Sequence, residues 1–180
     1  MKMCMINLWI KCLRYEWSAL RFKNSIKQLD KEVYEDYIPS SLLQIKQVAE
    51  ELHNRFQYTP DNILHLYDAM DSPASCWQKA FGNPPLKDDC DGFHAALYWA
   101  VSFNFDCRLL TVVTSNIKDS HTMLYFKNEG LLHYVDYMYL SNGFANMGDL
   151  INHIQNRRYK SRGTEIVASE LSYWDGNRWN

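Results

Sequence analysis

The chain has 180 residues, 47% hydrophobic and 22% charged, and a formal net charge of −2. That length suits one domain with a core of its own, without disulfide or metal staples. Acids and bases are interspersed, which argues against the basic face of a dedicated nucleic-acid binder. Five cysteines at irregular spacing, with no Cys-x-x-Cys pair, argue against a zinc ribbon or a thioredoxin-type motif and point to a reducing compartment.

Near the start, Leu8, Trp9, Leu13, Trp17 and Leu20 recur at helical spacing. Lys11 and Arg14 interrupt this stretch, so it reads neither as a secretory leader nor as a membrane span, and a cytoplasmic location without membrane contact is expected. Residues 1–39 are expected to form a helical extension packed on the main domain, 40–180, with Pro39 at the break. "SSLLQIKQVAEELHNRF" predicts a helix: Ser41 and Gln44 have capping-box spacing, and Ile45, Val48, Ala49, Leu52 and Phe56 form one stripe. Segment 57–89 holds four of the five prolines and reads as a long approach loop with short helical pieces such as "NILHLYDAM". "DGFHAALYWAVSF" predicts a second helix, with Phe93, Ala96, Leu97, Ala100 and Val101 on one face.

The period then changes. "CRLLTVVT", "TMLYF" and "LLHYVDYMYL" read as strands, and "KNEG" predicts a hairpin between the last two. "NMGDLINHIQNRR" predicts a late helix with Met147, Leu150, Ile151 and Ile154 on a common face. "YWDGNRW" predicts a closing hairpin around its Asp-Gly turn. Helices followed by antiparallel strands make an α+β layout.

"KDDCDGFHAALYWA" places Cys90 between aspartates at the start of a predicted helix. A helix N-terminus supplies partial positive charge and free N–H groups, which favour a thiolate and can hold an oxyanion. Asp88, Asp89 and Asp91 suit a helix start but oppose a thiolate, so a cationic partner is needed. His121 opens a strand, and Asp136 lies 15 residues on near the end of the next. Paired strands can bring two such side chains together, so Cys90, His121 and Asp136 are the expected catalytic set. His133 and His94 are rivals of His121, and Asp119 is the rival of Asp136. Cys76 and Cys107 read as structural thiols.

The order, spacing and local patterns of "DDCDGFHAALYWAVSFNFDCRLLTVV", "SHTMLYF" and "LLHYVDY" resemble the transglutaminase-like superfamily, a papain-like branch of cysteine enzymes. "FQYTPD" and "CWQKAFGNPPLKDDCDGF" are similar to the upstream signature of bacterial transglutaminase-like cysteine peptidases, over residues 56–140. Asp88 and Asp89 stand where that family often has Gly-Asp, Gly92 where an acid is common, and His94 where Ala is common. The resemblance implies a papain-like fold, the Cys-bearing helix packed on an antiparallel sheet. It also implies a thiol protease or amidase acting on a protein or peptide through a thioester, with no metal or cofactor. Transamidase, deamidase and non-catalytic binding-module readings stay open. Trp77 is implied to line the cleft, and a donor from Trp77, Gln78 or Asn83 to complete the oxyanion hole.

Overall fold

The computed structural model describes residues 29–59, 71–82 and 85–180. The predicted helix around Trp9 and the "NILHLYDAM" piece lie outside them. A short 3-10 turn, Glu32–Tyr37, comes first; Tyr34 and Tyr37 set their rings edge-on against Trp77, at 6.2 and 5.8 Å. Helix α1, Leu42–Asn54, carries the predicted cap, with Ser41 Oγ accepting from the Gln44 amide at 3.3 Å. The return arm differs from expectation: Gln44 Oε1 accepts from the amide of Ser40, one residue earlier than a capping box requires, at 2.7 Å. Ile45, Val48, Ala49 and Leu52 are buried as the stripe predicts. Phe56 has already entered a short strand, β1, Phe56–Tyr58.

The region read as a long loop is more regular where it is described. It contains helix α2, Pro73–Gly82, and strand β2, Leu86–Asp88, which pairs parallel with β1. Proline was a misleading breaker there: at the first helical position its missing N–H has no intrahelical partner to lose. Helix α3, Cys90–Val101, starts at the cysteine, and every residue from Asp91 to Val101 is buried. It is therefore a central helix, wrapped on all sides, rather than one with a single apolar face.

A five-stranded antiparallel sheet has the order β6-β5-β4-β3-β7. Its strands are β3 (Asp106–Thr114), β4 (His121–Asn128), β5 (Leu131–Asp136), β6 (Tyr139–Leu140) and β7 (Ile166–Ser172). The β4–β5 hairpin turns through Glu129 and Gly130, at φ 50° and 77°, as a two-residue loop with both centres left-handed. The predicted strand "LLHYVDYMYL" breaks at Tyr137, whose φ is 53°. Strand β7 was not predicted; it adds to the free edge of β3.

Helix α4, Met147–Ile154, capped by Asn146, runs on as a π-helix, Gln155–Tyr159, and a 3-10 turn, Lys160–Arg162, before Gly163 ends it at φ 64°. The predicted closing hairpin is present as a Trp174–Trp179 bridge. The sheet is covered on both faces. Leu109, Leu124, Phe126 and Val135 join α1, α2 and α3 in one cluster. Leu110, Val112, Met123, Tyr125 and Tyr134 join Leu150, Ile154 and Tyr159 in a second. Among the described residues no helix is long and apolar enough to cross a membrane.

Candidate active site

Alternation along the strands decides which side chains can meet. His121 shares its face with Met123 and Tyr125, and Asp136 shares its face with Tyr134, so both belong to the α4 side. Leu124 pairs with Val135; continuing that register puts Asp136 beside Met123, diagonal to His121. A diagonal neighbour is within reach of a long side chain. Nε2 of His121 is 2.8 Å from Oδ1 of Asp136, and both side chains are 4% exposed. An ionised carboxylate only accepts, so Nε2 carries the proton and Nδ1 keeps its lone pair.

Cys90 arrives from the opposite face. It is the first residue of α3, half-buried, and the backbone N–H of Thr122 donates to its Sγ at 3.4 Å. The thiol thus sits against the residue that follows His121. The other described thiols are different in kind. Burial pushes Cys76 well up and Cys107 up to about 12, so neither is a nucleophile at neutral pH.

Asp136 is the most heavily engaged group in the site. Besides His121, it accepts from Arg157 Nη1 at 2.9 Å and from Arg158 Nη1, which bridges both carboxylate oxygens at 2.9 and 2.8 Å. Burial pushes its carboxyl up, but His121 and Arg158 outweigh that and hold it well below the usual carboxylate range. Two guanidiniums keep it ionised whatever the state of His121. Burial lowers the His121 pKa, and Asp136 offsets part of that. Both arginines come from the π-helical turn after α4. Sequence reasoning missed them because a basic pair at a helix end reads as a favourable but unspecific C-terminal charge.

His94, one of the predicted rivals, is fully buried and does not address the thiol. Tyr137 N–H donates to its Nε2 at 3.1 Å, which puts the ring proton on Nδ1, and Nδ1 lies 2.5 Å from the Cys90 carbonyl oxygen. One imidazole therefore ties the backbone of Cys90 to the turn directly after Asp136. Its ring centroid is 5.7 Å from that of His121. Burial, with His121 nearby, pushes its pKa down to about 3, so it is neutral at physiological pH.

The remaining rivals sit elsewhere. His133 stacks on Phe126 and reaches the Ser141 carbonyl, and Asp119 serves Asn116, Thr164 and Arg162. Trp77 requires a correction. It is fully buried, stacked between Phe81 at 4.2 Å and Trp99 at 5.0 Å. Trp99 is nine residues beyond Cys90, about 13 Å along the helix and on its opposite face. Trp77 is thus core packing, not a cleft wall. Gln78 is exposed on α2, and Asn83 lies outside the described residues.

The helix start explains Gly92. A Cβ there would come within 2.2 Å of the Asp88 carboxyl carbon, so Asp88 folds over the first turn only because that position is glycine. Asp89 Oδ1 accepts from the Asp91 amide at 3.0 Å. The carboxylates of Asp88, Asp89 and Asp91 lie within 4.8 Å of one another.

Comparisons with protein-family models, with curated proteins and with solved structures found no match.

Proposed function

We propose that this protein is a cysteine hydrolase of transglutaminase-like type, cleaving an amide or peptide bond through Cys90, His121 and Asp136. The observation that carries the reading is the buried His121–Asp136 hydrogen bond, 2.8 Å long, with a half-exposed thiol at a helix start against the next residue's amide. Nδ1 of His121, left with its lone pair, takes the Cys90 proton. The Thr122 N–H supports negative charge on the sulfur. Sγ attacks the carbonyl carbon, and the oxyanion that forms collapses as His121 returns the proton to the departing amine. His121 then activates water, which cleaves the thioester to acid and free thiol. An amine in place of water gives transamidation from the same intermediate. Asp136 holds the imidazole in the required tautomer and faces the imidazolium when it forms. The Asp91 amide is occupied by its cap, so oxyanion donors come from other groups.

Exposure alone makes Cys90 react faster than Cys76 or Cys107, so rate by itself is a weak test. The decisive measurement is the pH dependence of iodoacetamide labelling, site by site, in wild type and His121→Ala. A catalytic pair gives a labelled fraction that persists below the ordinary thiol pKa and is lost in His121→Ala. Superimposable profiles would end the proposal. With a peptide substrate in hand, Cys90→Ala should abolish turnover while leaving the fold intact.

A further inference from the structure

Beside Asp136 the surface opens into a cavity of about 450 Å³ lined by Asp136, Tyr137, Arg157, Arg158, Ser161 and Arg162. Three guanidiniums face one carboxylate there. Among the described residues these arginines make one other ion pair, a long one from Arg162 to Asp119 at 3.8 Å. Counting both carboxylates, the group carries a formal charge of +1. Asp119 is itself divided among Asn116, Thr164 and Arg162.

Asp136 does not exhaust the guanidinium donors. Asp136 uses one nitrogen of Arg157 and one of Arg158, whereas a guanidinium offers five N–H donors. The guanidinium carbon of Arg157 lies over the Tyr139 ring, 3.6 Å from its centroid, which restrains the fork. The Ser161 hydroxyl adds a neutral donor at the rim. Guanidinium forks with an uncompensated charge around an open, mostly polar hollow match a planar or tetrahedral oxyanion.

We propose that this cavity is an oxyanion-binding site that takes a carboxylate or a phosphate group, held by Arg157, Arg158 and Arg162 with Ser161. The π-helical turn builds it by presenting residues 157 and 158 together toward Asp136, and turns of this kind recur at functional sites. An anion bound there shares the guanidiniums that hold Asp136. The site therefore sits in electrostatic contact with the His121 pair, whether or not Cys90 is a nucleophile.

The test is isothermal titration of the full chain with inorganic phosphate, and separately with glutarate, against sodium chloride at matched ionic strength. Saturable binding of phosphate or glutarate, absent with chloride, is expected. Arg162→Ala should weaken it about tenfold, the loss of one charge-assisted hydrogen bond, and Ser161→Ala by less. Arg178→Ala, in the C-terminal hairpin, should leave it unchanged. A short peptide with a free C-terminal carboxylate, compared with its amide, separates the two sources. Competition by the acid alone identifies a peptide carboxylate, and no competition identifies a free anion. Heats no larger than those with chloride, or binding equally strong in Arg162→Ala and Ser161→Ala, would overturn the assignment. Neither result bears on the thiol labelling that tests the hydrolase reading.

Discussion

The two faces of the sheet are built to different specifications. The α3 face is dry and aromatic: Phe93, Phe56 and Tyr137 pack ring on ring, and Trp77, Phe81 and Trp99 stack in series further along. The α4 face begins as an ordinary core around Leu150 and Ile154 and ends in charge, where Arg157 and Arg158 close on Asp136. The dry face delivers the thiol, and the charged face delivers the imidazole and the carboxylate that orients it. They meet where β4 begins and β5 has just ended. Packing fixes the position of the proposed nucleophile, and electrostatics fixes the tautomer of the proposed base. The two jobs can therefore be broken separately.

The largest expected effect is on the charged face. On the proposed mechanism, Asp136→Asn should slow turnover by up to about 10⁴-fold, the size seen when the orienting carboxylate of a serine triad is neutralised. A Cys90 that already exists as thiolate would reduce that loss. The substitution also leaves two guanidiniums facing a neutral amide, and breaking a buried charge network costs about 3–5 kcal/mol. Activity and urea stability should therefore fall together. Loss of rate with unchanged stability would show that the arginines do not depend on Asp136.

Truncations in the two cores sharpen the contrast. Phe93→Ala, which removes a ring packed on Tyr137, should cost about 3–5 kcal/mol and also change the pH profile of Cys90 alkylation. Leu150→Ala should cost about 2–5 kcal/mol with that profile unmoved. Equal effects on the profile would mean that the faces are mechanically coupled.

His94 joins the two faces and makes a pH-dependent prediction. Burial lowers both His94 and His121, so between the ordinary histidine pKa of 6.5 and the folded value, about 3 for His94, the unfolded chain binds more protons. The associated stability is complete above 6.5 and is lost as pH falls through that window. For His94 the slope approaches about 1.4 kcal/mol per pH unit, and His121 adds to it in the same direction. His94→Phe should remove one histidine's share of the slope and also displace the Cys90 alkylation profile, because it unties the Cys90 carbonyl from the Tyr137 amide. His94→Gln, which can donate and accept, should restore part of the profile. The smallest effect is at the α4 cap, where Asn146→Ala should cost about 1 kcal/mol in denaturation and leave alkylation unchanged.

Much of the fold was legible because local chemistry sets it. The cap at Ser41, the Glu129-Gly130 turn and the helix starting at Cys90 each depend on residues a few positions apart. Strand β7 was missed because its half-exposed sequence, "IVASELS", acquires strand character only by pairing with β3. Helix α2 is longer than the short helical pieces expected in that segment, because a proline at the first helical position interrupts nothing.

For the site, the sequence by itself determined a cysteine at a helix start, a histidine opening one strand and an aspartate closing the next. Those are local properties of pattern and period. Only the tertiary structure decided that Tyr137 leaves the strand in a left-handed conformation. Its ring nevertheless falls on the α3 face with Val135, packed on Phe93 and 5.6 Å from the His121 ring, so Asp136 points the other way. The tertiary structure also placed Trp77 in the core, gave both nitrogens of His94 to backbone groups 47 residues apart, at Cys90 and Tyr137, and brought Arg157 and Arg158 onto Asp136. The reason is physical: a buried charge or imidazole takes whichever partner the packing brings near, and the sequence distance to that partner carries no signal of its own.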